Sequence, residues 1–242
     1  GVNASSDNPN ASSAASPAVR PASVVVLMVL AHFFHHLLTA LVVPLLPMIR
    51  DDFGLTYTQS GLVISAFSLS YGLGQPPAGW LADRIGPKVL LLVGISGVAL
   101  AGGVIGISPS YGLLIGGLVL MGLLGGGYHP SAAPTISTVV AGPKLGRALG
   151  FHMEGGSSSF FLAPLFGVFL AGLLGWRGAF LAIAGPVMVF GFVVYVILGR
   201  AARRDRDRGA DRTARDSRPA EPGGTRASPG AAACRCFGRA PP

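Results

Sequence analysis

Charge is scarce in this 242-residue chain, where Asp, Glu, Lys and Arg together make up 12% of the residues. With 50% hydrophobic residues and a mean hydropathy of +0.58, that shortage excludes an ordinary soluble globular domain. Cysteine is scarcer still. The two present, Cys234 and Cys236, lie near the C-terminus, so neither a disulfide framework nor a cysteine zinc site is expected. The C-terminal segment is strongly basic but lacks an aromatic platform for stacking bases, so a pI near 10.3 does not point to nucleic acid. Contact with anionic lipid headgroups suits it better.

What the chain does have is long apolar runs. Crossing the hydrocarbon core takes about 20 mainly apolar residues, and six runs qualify: 22–47, 59–82, 89–107, 111–133, 148–174 and 178–198. They are too long for barrel strands and do not alternate. The 36 glycines suit close helix contact in lipid. The predicted fold is an all-α membrane protein, a six-transmembrane-helix bundle over residues 22–199. Disordered cytoplasmic segments are expected at 1–21, which does not read as a signal peptide, and at 200–242, a basic low-complexity tail.

Basic residues set the expected orientation. Arg20, Arg84, Lys88, Lys144, Arg147 and Arg200 fall on one side of the spans, and Arg50 and Arg177 on the other. The positive-inside rule therefore places both termini in the cytoplasm, as in a multi-pass inner or plasma membrane protein.

Polar side chains inside the spans are costly and should face a cavity or another helix. The third and sixth spans have few of them and are expected to face lipid or brace from outside. The first carries His32, His35, His36 and Thr39. The second carries Ser65, Ser68, Ser70, Tyr71 and Gln75, the fourth Tyr128 and His129, and the fifth His152, Glu154 and Ser157 to Ser159. These four spans are predicted to line something wet. His32, His35 and His36 share one face by i, i+3, i+4 spacing. Glu154, the only acid within a span, is a candidate for proton coupling or substrate binding. His129, placed before Pro130 where the fourth helix should end, is a candidate substrate contact. No carboxylate or cysteine accompanies the histidines at ligand spacing, so no metal is expected, and no cofactor.

Between the second and third spans the chain reads Gly79-Trp80-Leu81-Ala82-Asp83-Arg84-Ile85-Gly86-Pro87-Lys88. The form G-x-x-x-D-R-x-G-x-K resembles the loop between helices two and three of the major facilitator superfamily of secondary transporters. The resemblance implies that Gly79, Asp83, Arg84, Gly86 and Lys88 form a conformational latch. Gly150, Ser159, Ala163, Pro164 and Gly167 resemble, in degenerate form, the superfamily's antiporter motif in helix five, which implies a bend there. Pro44-Leu45-Leu46-Pro47, Gln75-Pro76, Gly127-Tyr128-His129-Pro130 and Gly175-Trp176-Arg177 are similar to the fosmidomycin-resistance branch, which exports small polar drugs.

The implied function is transmembrane transport of a small-molecule substrate, as proton-coupled efflux or as uptake of an organic anion or other metabolite. The superfamily has two six-helix halves with the substrate between them. This chain carries one, so either a fragment or a half-transporter that pairs as a homodimer is expected. Two other classes compete. Ser96, in Gly94-Ile95-Ser96-Gly97, superficially suggests a rhomboid-type intramembrane protease, though the sixth span offers no histidine base. A non-transporting receptor or scaffold is the other. The transporter is expected, and not an enzyme.

Overall fold

The structure, a computed structural model, describes residues 21–216. Among the described residues there are seven α-helices and no strand. The expected segments at 1–20 and 217–242, including Cys234 and Cys236, lie outside the described residues. Two compact units are distinguished, Gly1–Asp205 and Arg206–Pro242; the first holds the site, and the second is helical to Asp216.

The first span is two helices, α1 (Pro21–Thr39) and α2 (Val42–Phe53). Pro44 cannot donate to the carbonyl of Ala40, nor Pro47 to that of Val43, so the helix interrupts at Ala40–Leu41 and restarts with Pro44 in its first turn. The span runs on to Phe53, beyond the expected end at Pro47, and stops at Gly54 in the left-handed conformation, φ 62°.

The second span is α3 (Tyr57–Ile85). A reciprocal cap opens it: the Gln59 N–H donates to Thr56 Oγ1 at 3.2 Å and the Thr56 N–H to Gln59 Oε1 at 2.9 Å. Here the expected turn is corrected. Gly79, Asp83 and Arg84 belong to α3 itself, and the reversal narrows to Gly86, with φ 90° and ψ 147°. Lys88 lies in the first turn of α4 (Pro87–Gly106), behind Pro87 at a position that needs no N–H.

The fourth span also divides, into α5 (Tyr111–Gly125) and α6 (Tyr128–Ser137). Its break falls at Gly126–Gly127, not at Pro130, because Pro130 sits in the first turn of α6, where its missing N–H costs nothing. The fifth and sixth spans form one helical segment, α7 (Lys144–Asp216), which turns at Gly175, φ 72° and ψ 168°. Helix continues past residue 200, where a disordered tail was expected. Alanine and arginine are good helix formers, and no proline intervenes before Pro219.

Among the described residues, four segments are long and apolar enough to cross a membrane: Pro21–Phe53, Pro87–Gly106, Tyr111–Ser137 and Lys144–Arg203. The last contains two passes. The 29-residue α3 is also long enough, but its serines and Gln75 make it less apolar. The core draws mainly on α1, α2, α4, α5, α6 and α7. Leu91, Ile95, Val98 and Ile105 of α4 are fully buried while Leu100 is exposed, so the third span braces the bundle with one face and leaves another on the outside. Glycines let it close in: a Cβ on Gly94 would meet the Tyr128 backbone N at 2.9 Å.

Candidate functional site

The sequence contains five histidines, and the fold gathers all of them in one place. His32, His35 and His36 come from α1, His129 from α6 and His152 from α7. The ring of His32 stacks on His152, with centroids 4.3 Å apart, and meets His36 and His129 at 4.8 and 5.2 Å. The ring of His35 stacks on Tyr128 at 4.6 Å. Small residues allow this crowding. A Cβ on Gly156 would fall 2.5 Å from the His32 ring, so α7 can lie against α1 here only as glycine.

Hydrogen bonds fix how most of the rings present their nitrogens. A backbone carbonyl only accepts, so each ring nitrogen facing one must carry its proton. His32 Nδ1 donates to the His152 carbonyl at 2.7 Å, His35 Nδ1 to that of Gly94 at 3.2 Å, and His152 Nδ1 to that of Met28 at 3.1 Å. In the neutral rings this leaves Nε2 with the lone pair. Tyr71 Oη donates to His35 Nε2 at 3.3 Å, and Tyr128 Oη to the Met28 carbonyl at 3.2 Å. His32 Nε2 is buried and has no partner. His36 Nε2 and His129 Nε2 lie 3.4 Å apart, and ring nitrogens of His32, His36 and His129, one from each, all lie within 4.8 Å of one another. The close group thus takes two of the three histidines of α1 and adds one from α6.

His36 also faces a cavity of about 430 Å³. Thr39, Ser68 and Tyr71 are its other polar groups, from α1 and α3. Phe67, Phe160 and Pro164 contribute to a mainly apolar remainder. Phe160 packs on His36 with centroids 5.0 Å apart. Ser68 and Tyr71 were expected only as polar lining, and Phe160 carried no sequence signal, since an aromatic in a span ordinarily faces lipid.

Other expected site residues fall elsewhere. Glu154 is exposed in a groove with Val25, Val26, Val29 and Phe151, on the far side of α7 from His152. Gln75 is half-buried one turn beyond Tyr71, outside the ring contacts. In the expected latch, Asp83 and Arg84 are exposed, with the Arg84 guanidinium 3.9 Å over the Trp80 ring. A Cβ on Gly79 would meet Pro130 at an ordinary 3.7 Å. Of the helix-five series, Ser159 and Ala163 are buried, Pro164 lines the cavity, and Gly167 admits Leu41, at the break in the first span, to 2.9 Å of a would-be Cβ. Gly150 is approached by nothing. Ser96 Oγ is buried without a hydrogen-bond partner, close to where a Cβ on Gly191 would lie.

These features define a class: a polytopic α-helical membrane protein with a cavity and a polar cluster between its spans. The chain belongs to the Major Facilitator Superfamily, whose family model matches residues 28–238. It is 36% identical over 155 residues to the multidrug resistance protein MdtG of Salmonella paratyphi C, covering 62% of this chain and 38% of that protein. The MdtG of Escherichia fergusonii is 35% identical over 163 residues, 65% of this chain and 40% of that one. The chain thus spans about two fifths of the length of these relatives. Among solved structures, an inward-facing, occupied bacterial homologue of the human lysosomal transporter Spinster superposes with a TM-score of 0.67 at 21% identity, covering 74% of this chain and 44% of that one. Tetrameric PepTSo2 gives 0.65 at 14% identity, covering 76% and 42%. At these identities the structures share the fold.

Proposed function

We propose that this chain is the six-helix half of a secondary transporter that exports small drug-like solutes from the cytoplasm, with the cavity lined by His36 as part of the solute route. The observation that carries this reading is the convergence of all five histidines in one ring cluster that opens onto the cavity through His36. Nothing about packing an apolar bundle requires that convergence, and burying polar rings without function is costly. The multidrug resistance names of its relatives support the drug class.

The wall itself sharpens the substrate. With aromatic and aliphatic groups around His36, Thr39, Ser68 and Tyr71, it suits solutes with an apolar body and few polar groups better than small, highly polar ones. Uptake of an organic anion finds no support there, since the described lining holds no Arg or Lys. The resemblance to the fosmidomycin-resistance branch, which implies small polar drugs, fits this mainly apolar wall less well.

Proton coupling is assigned to the histidines in preference to Glu154, which lies outside the cluster. Both termini face the cytoplasm in this reading, and the cavity works against a second six-helix body, from further sequence or from a second copy. Proteoliposomes loaded with a fluorescent amphiphilic dye test it. A pH gradient should drive dye movement, His36→Ala should slow it severalfold, and Glu154→Gln should leave it intact. Dye movement equal to that of empty liposomes, or abolished by Glu154→Gln with His36→Ala harmless, would contradict the proposal.

A further inference from the structure

The histidine cluster has a feature that solute passage does not use. His32 Nε2 is fully buried, holds a lone pair because Nδ1 is committed to the His152 carbonyl, and has no partner. A buried nitrogen left so is costly unless something fills the place. His36 is set up alike. The Thr39 hydroxyl donates to the His36 carbonyl at 3.3 Å, so its oxygen is left to accept the His36 Nδ1 proton at 3.4 Å, and Nε2 again carries the lone pair. That nitrogen faces His129 Nε2 at 3.4 Å.

We infer that His32, His36 and His129 form a binding site for one divalent transition-metal cation of the zinc class. Two imidazole nitrogens, each about 2.0–2.1 Å from a tetrahedral zinc ion, lie about 3.4 Å apart. The His36–His129 pair already has that separation. The third ring nitrogen lies within 4.8 Å, and His36 and His129 are only half-buried, so rotation of their side chains can close the gap. A second shell is present: His32 and His36 each give the distal N–H to an oxygen, the arrangement that fixes the tautomer of metal-bound histidine. Imidazole without thiolate or carboxylate suits zinc, copper, nickel or cobalt over magnesium or calcium.

The site is of the open kind. His36 also lines the cavity, so a fourth position can be taken by water, hydroxide or an anion entering from it. That ligand matters, since three neutral rings leave the charge of the ion uncompensated and Glu154 faces away. An ion held this way exchanges through the cavity and is not sealed in the fold. The site follows from the ring geometry and holds whether or not the chain transports drugs.

Cobalt(II) provides the test, because a tetrahedral nitrogen site gives it intense visible absorption that an octahedral aqueous site does not. The full chain, purified in detergent with Cys234→Ser and Cys236→Ser so that the terminal thiols cannot compete, is titrated with cobalt and then with zinc. The expected result is one equivalent of tetrahedral cobalt displaced by one equivalent of zinc. His36→Gln and His129→Gln should each weaken binding about tenfold or more, and Thr39→Val, which removes only the outer-shell oxygen, about tenfold. The helical circular dichroism of each variant separates ligand loss from misfolding. Because the unmutated cluster reports its own geometry, absence of the tetrahedral spectrum there overturns the proposal. So does a spectrum that survives the folded double variant His36→Gln/His129→Gln.

Discussion

His32 is the residue on which the cluster turns. Its ring lies between His152, stacked at 4.3 Å, and the backbone of Gly156. Gly156→Ala would place a methyl group 2.5 Å from that ring, and the ring has buried neighbours on its other sides. The expected cost is about 1–3 kcal/mol, the usual penalty for overpacking a filled interior. It should be read as a lower thermal unfolding midpoint by circular dichroism in detergent, and an unchanged midpoint would mean that His32 is not held there. The i, i+3, i+4 face of α1 was legible in the sequence, because it depends only on helical period. The arrival of His129 and His152 on that face was not, because it depends on how α6 and α7 rotate against α1. Glu154 shows what spacing could have said: two residues from His152 on a helix is about 200° of rotation, so the two cannot share a wall.

At the scale of elements, the spans themselves were readable from apolar length, while their interruptions were not. Pro44 and Pro130 suggest helix ends, yet both are accommodated in the first turns of α2 and α6, and the breaks precede them. Two glycines make the reversals that pattern alone left as loops. Gly86 and Gly175 adopt φ 90° and 72° with extended ψ, a region essentially closed to other residues. Gly175→Ala should therefore destabilise the turn between the fifth and sixth spans by about 1–3 kcal/mol. Gly172→Ala, one turn earlier in regular helix with open space around its Cα, should be neutral or stabilising by about 1 kcal/mol or less. Denaturation of the two variants side by side checks this; equal losses would contradict the assigned turn. Arg177 steadies the same turn by donating from Nε to the Ser108 carbonyl at 2.8 Å and from Nη1 to Asp52 at 2.7 Å. The two side chains of the ion pair are 34% and 42% exposed, so most of its value lies in placing three connections together.

At the scale of the whole helical unit, apolar side chains cover much of the outside, among them Leu62, Leu69, Leu73, Phe161 and Phe169. In a membrane such a surface needs no further explanation. The cavity does, and its character decides the account: it is either a water-accessible route or a crevice filled by lipid. Cysteine accessibility distinguishes these most directly. The chain has only two cysteines, both near its end, so replacing Cys234 and Cys236 by serine leaves a background for single probes. Ser68 lines the cavity, and its neighbour Leu69 points to the outer surface of the same helix. In membranes, Ser68→Cys should react rapidly with a charged, membrane-impermeant thiol reagent that needs water to ionise the thiol, and Leu69→Cys should not. Equal labelling of the two, or a Ser68→Cys thiol inert from both sides of the membrane, would contradict the existence of an aqueous route past His36.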